Sequence, residues 1–272
     1  MKFKLLLVIF NIVFFLSFLT IFFLPLFVMD GSYLGAFWKQ NWFFFPLFFS
    51  VSAAVNALFL RNRKTLYSLE REDWPALAQH LENEVFKRNR IGFGTASLLC
   101  DSLVLLGDFN TVAKLRTLVE QQKPRIYNAL RVRFVTAALL AKDREGAESL
   151  CRDSEKLPRH DREWLSLYAG LSRRLAGDYP GAAELLEPLC VSGKEVLPVF
   201  LASYVCGSLL SAKINNESAR LQTSAASGRE RVLQRFSRAQ WKPYFESEKT
   251  AMHVVVLGKL FSEAEAWAWE SK

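Results

Sequence analysis

Asp73, Asp108, Asp143 and Asp178 stand at one constant interval of 35 residues. Each opens a comparable stretch: Asp73-Trp74-Pro75-Ala76, Asp108-Phe109-Asn110-Thr111, Asp143-Arg144-Glu145-Gly146 and Asp178-Tyr179-Pro180-Gly181. A period of this length corresponds to one pair of helices stacked on the next. Such a pair cannot bury its apolar faces alone. Neighbouring pairs therefore share a core, and the array presents an extended surface suited to binding.

The apolar pattern agrees with helices. After Leu60 apolar residues recur at three and four, as in Leu77, Leu81 and Val85, or Val112, Leu115 and Val119. The breaks are short. Leu106-Gly107-Asp108 and Ala176-Gly177-Asp178 have one form. Glycine can take the left-handed conformation that ends a helix, and the aspartate can cap the next helix. The third unit has Lys142-Asp143-Arg144 and the first Arg71-Glu72-Asp73, so both lack the glycine. In the third unit the first turn should be weaker, or Arg144 should face solvent. Expected helices are about 66–90, 92–106, 109–122, 125–141, 144–156, 161–176, 179–191 and 195–212. Lys213 stands where a fifth aspartate would fall, so the period ends there. The polar stretch 215–231 is open between a loop and a helix. Residues 249–269 read as one amphipathic helix.

Gly107-Asp108-Phe109 with Val112, and Gly177-Asp178-Tyr179 with Ala182, resemble the turn and second helix of tetratricopeptide-like repeats. Gly170 falls where that family's first helix carries a small residue; Cys100 and Val135 take the place in the second and third units. The layout also resembles the bacterial HemY-like membrane proteins. The resemblance implies scaffolding without intrinsic catalysis. The expected fold is all-α: two transmembrane helices, then a right-handed TPR-like α-solenoid with a C-terminal capping helix region. Expected divisions are 1–64 for the membrane hairpin, 65–213 for the array, and 214–272 for a polar linker and capping helices.

The amino-terminal part belongs to another environment. Fifteen of the 23 phenylalanines lie in the first 60 residues, too uneven for one core. Residues 5–29 carry no charge, and about 20 apolar residues suffice to cross the hydrocarbon. Phe22-Phe23-Leu24-Pro25 stands where a cleaved signal would want small residues. A second uncharged segment covers 42–60, with Asn56 its most polar residue, read as headgroup-level and without a specific role. Trp38 and Trp42 suit a membrane interface, and Lys2, Lys4, Arg61, Arg63 and Lys64 flank the spans. Positive-inside logic places the amino terminus and the carboxy-terminal domain on the cytoplasmic side, in an integral protein of a bacterial inner membrane.

A net charge of +8 is accounted for by juxtamembrane clusters such as Lys87, Arg88 and Arg90; no nucleic-acid motif accompanies it. The four cysteines lack CxxC spacing and sit in apolar surroundings, as buried hydrophobes do. His80, His160 and His253 are far apart, and no metal-ligand spacing, GxSxG or phosphate loop is present. His160-Asp161 reads as a turn and cap. No enzyme, metal, cofactor or small-molecule substrate is expected.

The partners expected are membrane-associated proteins and the lipid bilayer itself. Asp101, Arg131, Arg133, Arg173 and Arg174, on the first helix of each pair, are the groove candidates, and the arginines favour a carboxylate-bearing ligand. Two functions compete: a membrane-anchored scaffold or assembly factor, and a subunit of a larger complex held through its membrane helices. Residues 232–269 should close the array, with Trp241, Tyr244, Phe245, Trp267 and Trp269 in its core; the competing reading makes these rings exposed anchors.

Overall fold

The structure is a computed structural model that describes residues 2–28, 35, 37, 39–249 and 251–270. Every regular element among them is helical, and the chain divides into two compact units, Met1–Arg88 and Asn89–Lys272.

The first unit holds α1 (Lys2–Val28), α2 (Phe44–Glu70) and α3 (Trp74–Glu82), the last continued by a π turn at Asn83–Lys87. Two segments, Phe3–Leu24 and Lys39–Glu70, are long and apolar enough to cross a membrane, by length and composition. Helix α2 runs past the apolar segment, through Arg61, Arg63 and Lys64, without a break at residue 64. It stops at Arg71-Glu72, and α3 folds back on it. Phenylalanines hold α1 to α2: Phe14 stacks on Phe48 at 3.9 Å and Phe22 meets Phe45 at 3.7 Å between ring centroids.

Asn56 has a specific role after all. Its Nδ2 donates to Asn11 Oδ1 at 2.9 Å, and Asn11 Nδ2 donates back to Asn56 Oδ1 at 3.3 Å. Each amide also donates to a carbonyl one turn earlier in its own helix. The pair was hidden because its members are 45 residues apart. Trp42, Arg61, Arg63 and Lys64 are exposed; Trp38 lies outside the described residues.

The second unit is a succession of paired helices. They are α4 (Phe93–Leu106), α5 (Phe109–Gln122), α6 (Pro124–Leu140), α7 (Arg144–Cys151), α8 (Arg159–Leu175), α9 (Tyr179–Ser192) and α10 (Val196–Tyr204), with a π turn at Val205–Leu210. Then come α11 (Ser218–Arg235), α12 (Arg238–Glu248), α13 (Met252–Val256) and α14 (Gly258–Glu270). The polar stretch is therefore a helix, with Leu221, Ala225 and Val232 buried. It packs on α9 and α10, so the division expected at 213 falls inside one unit. The single helix expected over 249–269 is two, interrupted near Gly258.

The aspartate caps form as the 35-residue spacing predicts. Asp73, Asp108, Asp143 and Asp178 accept from the backbone N–H three residues on, those of Ala76, Thr111, Gly146 and Gly181. The residue before each is left-handed: Glu72 (φ 54°), Gly107 (φ 71°), Lys142 (φ 60°) and Gly177 (φ 81°). The backbone is therefore the same with and without glycine. Arg144 is exposed, and α7 is short, with eight residues. Gly170 sits against α9, where an added Cβ would come within 2.5 Å of the Leu186 side chain. Cys100 and Val135, its counterparts, are wholly buried.

Candidate binding surface

Helices α4, α6 and α8, the first of their pairs, lie side by side. A returning helix joins each to the next, so the three run in one direction; Asp101 on α4 meets Arg133 on α6, and Thr136 on α6 lies beside Tyr168 on α8. Four of the five groove candidates stay near this layer's surface, and three of them, Asp101, Arg133 and Arg173, are in ion pairs.

Arg133 Nε donates to Asp101 Oδ1 at 3.1 Å, and both side chains are about a quarter exposed. Burial pushes the Asp101 carboxyl above its ordinary range, against the pull of Arg133. Asp161 on α8 is also raised by burial, with His160 and Arg133 opposing. Arg133 thus serves two carboxyl groups and a third neighbour, His253 on α13. Burial pushes His253 down to about 4, helped by the Arg133 and His160 charges. The His253 ring meets Trp164 edge-on at 4.6 Å, and Tyr168 OH donates to the His253 carbonyl at 2.8 Å. His160 pairs with Glu195 at 3.0 Å and lies within the first turn of α8, so it is no cap.

Sequence reasoning set the histidines apart, and it placed His253 on an uninterrupted terminal helix. The fold brings His253 to within reach of the His160 and Arg133 charges. The carboxy-terminal helices cover this face of the layer. Helix α13 packs on α6, and α14 on α10. Tyr204 meets Trp267 and Phe200 meets Trp269, at 5.9 and 5.8 Å between centroids; Tyr204 OH donates to Glu263 at 3.2 Å. Trp241 and Phe245 are buried and Trp267, Trp269 and Tyr244 half-buried, so these rings are packed side chains and not exposed anchors.

Arg131 does not fit the groove role expected for it. It is 6% exposed. Its Nε donates to Leu150 O at 2.9 Å and its Nη1 to Asp153 O at 3.3 Å, while Nη2 reaches Leu150 O and Arg152 O. These carbonyls end α7, which stops too soon to satisfy them within the helix. A guanidinium from α6 supplies the missing donors, and its charge suits a helix C-terminus.

The same device recurs with both signs. Arg231 on α11 donates to Gly193 O at 2.7 Å and to Cys190 O, closing the end of α9. Glu163 on α8, 7% exposed, accepts from Lys194 N and Glu195 N at the start of α10 and from Arg159. Burial works to raise the Glu163 carboxyl. The donated hydrogen bonds outweigh it and hold the group below its ordinary range.

Arg173 lies 3.7 Å from Asp178, the cap of its own repeat, and Arg174 is half-buried. Burial and the Glu263 carboxylate push the Tyr204 phenol up, and Arg174 pulls it back. All four cysteines are free thiols. Burial raises Cys100, and raises Cys151 to about 12, so neither is a thiolate at neutral pH. Among the described residues no group of three His, Cys, Asp or Glu could hold a metal ion.

Two comparisons bear on this surface. A family model described as "Uncharacterised Treponema protein" matches residues 111–270. That span runs from within α5 to the end of α14, so it takes in α6, α8 and the helices that cover them but not α4. An "Uncharacterized protein" of Treponema pallidum (strain Nichols) is 30% identical over 231 residues, 82% of this chain and 74% of that protein. The chain belongs to this Treponema family. An alignment of that extent cannot begin beyond about residue 50 of the 272, so it reaches back into α2. No solved structure matches.

Proposed function

We propose that this chain is a membrane-anchored scaffold or assembly factor. Helices α1 and α2 cross the bilayer as a hairpin, and the paired helices after them are a right-handed, TPR-like array closed by the carboxy-terminal helices. The loosely HemY-like layout, with the amino terminus and the helical array on the cytoplasmic side of a bacterial inner membrane, completes the reading. One observation carries it. Four helix starts share an aspartate cap preceded by a left-handed residue, in one chain with two apolar helices of spanning length. Such an array is built to hold proteins, and tethering raises the local concentration of a membrane-bound partner.

The surface offered is the part of the α4–α6 side that the carboxy-terminal helices leave open, where the Asp101–Arg133 pair keeps about a quarter of its area. Arg173 and Arg174 lie on α8, the next helix of the layer; Arg131 is excluded because its donors are used within the fold. The test is charge reversal of Arg133 and Arg173 in the full chain, followed by chemical crosslinking in native membranes. The set of crosslinked neighbours should change. An unaltered set would sink the scaffold reading, provided that the swapped pair Asp101→Arg with Arg133→Asp still folds.

A second reading has its own observation. A groove of about 610 Å³ lies along the hairpin, lined by Phe14, Phe18, Phe48, Phe49, Ser52 and the asparagine pair among others. A partner's membrane helix seated there would make this chain a subunit of a larger complex. Exchanging α1 and α2 for an unrelated two-span anchor separates the cases: retained crosslinks favour the array, lost crosslinks the hairpin.

A further inference from the structure

Leu105, Leu140 and Leu175 are one 35-residue period apart, each three residues before a capping aspartate. They close the helices α4, α6 and α8. Half of the twelve leucines of those helices are core residues, and Leu99, Leu103, Leu130, Leu165 and Leu167 are essentially inaccessible. These three are 47%, 41% and 70% exposed, and Leu106 beside the first is 43% exposed. Scattered exposed leucines need no explanation. These are not scattered. The helices that carry them are adjacent, and each ends within two residues of its leucine, in the same left-handed turn and aspartate cap. The leucines therefore form a row along one end of the layer.

The charges beside the row set what it can meet. Lys142 and Arg144 are exposed next to Leu140, Arg174 is half-buried next to Leu175, and Lys213 is exposed at the following turn. The acidic groups on this edge are Asp108, Asp143, Asp178 and Glu145. The three aspartates each accept a capping backbone N–H; Asp108 also accepts from the Thr111 hydroxyl, and Asp178 faces Arg173. The cations are long side chains that can extend to phosphates while their stems lie on apolar surface. Leucines flanked by such residues match the boundary between headgroups and acyl chains.

We propose that this leucine edge rests on the bilayer surface, with Leu105, Leu106, Leu140 and Leu175 at the headgroup–acyl boundary. The proposal rests on the reading that α1 and α2 span the membrane, which brings a bilayer within reach. The full chain, carrying Cys151→Ser to remove the one cysteine that is not fully buried, is placed in nanodiscs containing phosphatidylglycerol. A fluorophore is attached at Leu140→Cys, Leu175→Cys, Arg125→Cys at the other end of α6, or Ser50→Cys in α2.

Lipids carrying a nitroxide high on the acyl chain should quench the Leu140 and Leu175 labels about threefold more than the Arg125 label. Equal quenching at the three sites overturns the proposal. So does a leucine label shielded from aqueous iodide yet not quenched by the lipid nitroxide, since a protein then covers the edge. If the Ser50 label is also not quenched, the spanning reading fails and this inference with it. If Ser50 is quenched and the leucine labels are not, the leucine edge alone is refuted.

Discussion

The hairpin α1–α2 and the helical unit from Asn89 onward treat polar groups in opposite ways. In the hairpin most apolar side chains face outward, Leu6 being 68% and Ile21 69% exposed, and the specific polar contact is turned inward, Asn11 on Asn56. In the helical unit the apolar residues are inside. The charges buried or half-buried among them close helix ends: Arg131 on α7, Arg231 on α9 and Glu163 on α10. The difference teaches what each environment withholds. Where water is close, a surface group can be left to the solvent, and only helix ends caught in the core need a partner. If hydrocarbon surrounds the hairpin, as proposed, a side-chain amide there has to find another amide.

The sharpest break in this comparison is Arg131→Met. It keeps the bulk of the side chain and removes every donor to the end of α7. The carbonyls of Leu150, Arg152 and Asp153 would be left with at most distant water. A loss of about 3 kcal/mol is expected, read as a fall in the urea midpoint of the full chain in detergent. A change below about 0.5 kcal/mol would mean that α7 ends in solvent and that the cross-helix cap is incidental.

A smaller effect comes from pH. His253 is held down to about 4 by burial and by nearby positive charge, whereas its unfolded value is 6.5. A group whose folded pKa is lowered takes up its proton more readily when unfolded. Its stabilisation is complete above pH 6.5 and declines as pH falls towards 4. Going from pH 7 to pH 5 should cost about 2 kcal/mol, and His253→Gln should remove most of that dependence. Glu163, also held below its ordinary range, adds its loss only at lower pH, beneath the usual carboxylate value. Identical pH profiles for the wild type and His253→Gln would contradict the buried, neutral imidazole.

The hairpin half is tested by a double-mutant cycle. Asn11→Leu or Asn56→Leu alone leaves one amide facing Phe14, Phe48 and their neighbours, at a cost of about 1 kcal/mol. The double variant should recover part of it, giving a coupling of at least about 0.5 kcal/mol by unfolding in bilayer-like detergent. Additive losses would show that the two amides act independently.

What could be read in the sequence follows the range of each interaction. The aspartate caps reach three residues, so spacing alone located them, and helical periodicity was sufficient for the all-α fold. The starts of α5 and α9 fell where the Gly-Asp-aromatic pattern put them, at Phe109 and Tyr179. Arg131 was beyond that range. Its partners lie 19 to 22 residues on, and they need it only because α7 ends at Cys151. As a cation on a first helix it looked the same as Arg133, which does keep a surface partner. The Asn11–Asn56 and Trp164–His253 contacts depend on chain reversals that no local pattern encodes. The interruption near Gly258 did have a local signal, a glycine within an otherwise apolar helical run.

The smallest effect probes the repeat itself. In all four turns the aspartate N–H donates to the carbonyl five residues back: Asp73 to Ser68, Asp108 to Leu103, Asp143 to Ala138 and Asp178 to Arg173, at 2.8–3.0 Å. That bond requires the preceding residue to be left-handed. Gly107 and Gly177 accept this without a Cβ clash; Glu72 and Lys142 carry one, at about 1 kcal/mol each. Lys142→Gly should therefore stabilise the chain by about 0.5 kcal/mol, after the greater entropy of glycine in the unfolded chain is subtracted. Gly177→Lys should destabilise it by a comparable or larger amount. Opposite signs would show that the helix pairs impose one turn geometry on whatever residue stands there. If Lys142→Gly instead destabilises, the lysine side chain contributes more at that edge than its backbone costs. That outcome would fit a cation seated beside Leu140 against lipid, and it should disappear when the protein is moved from anionic nanodiscs to neutral detergent.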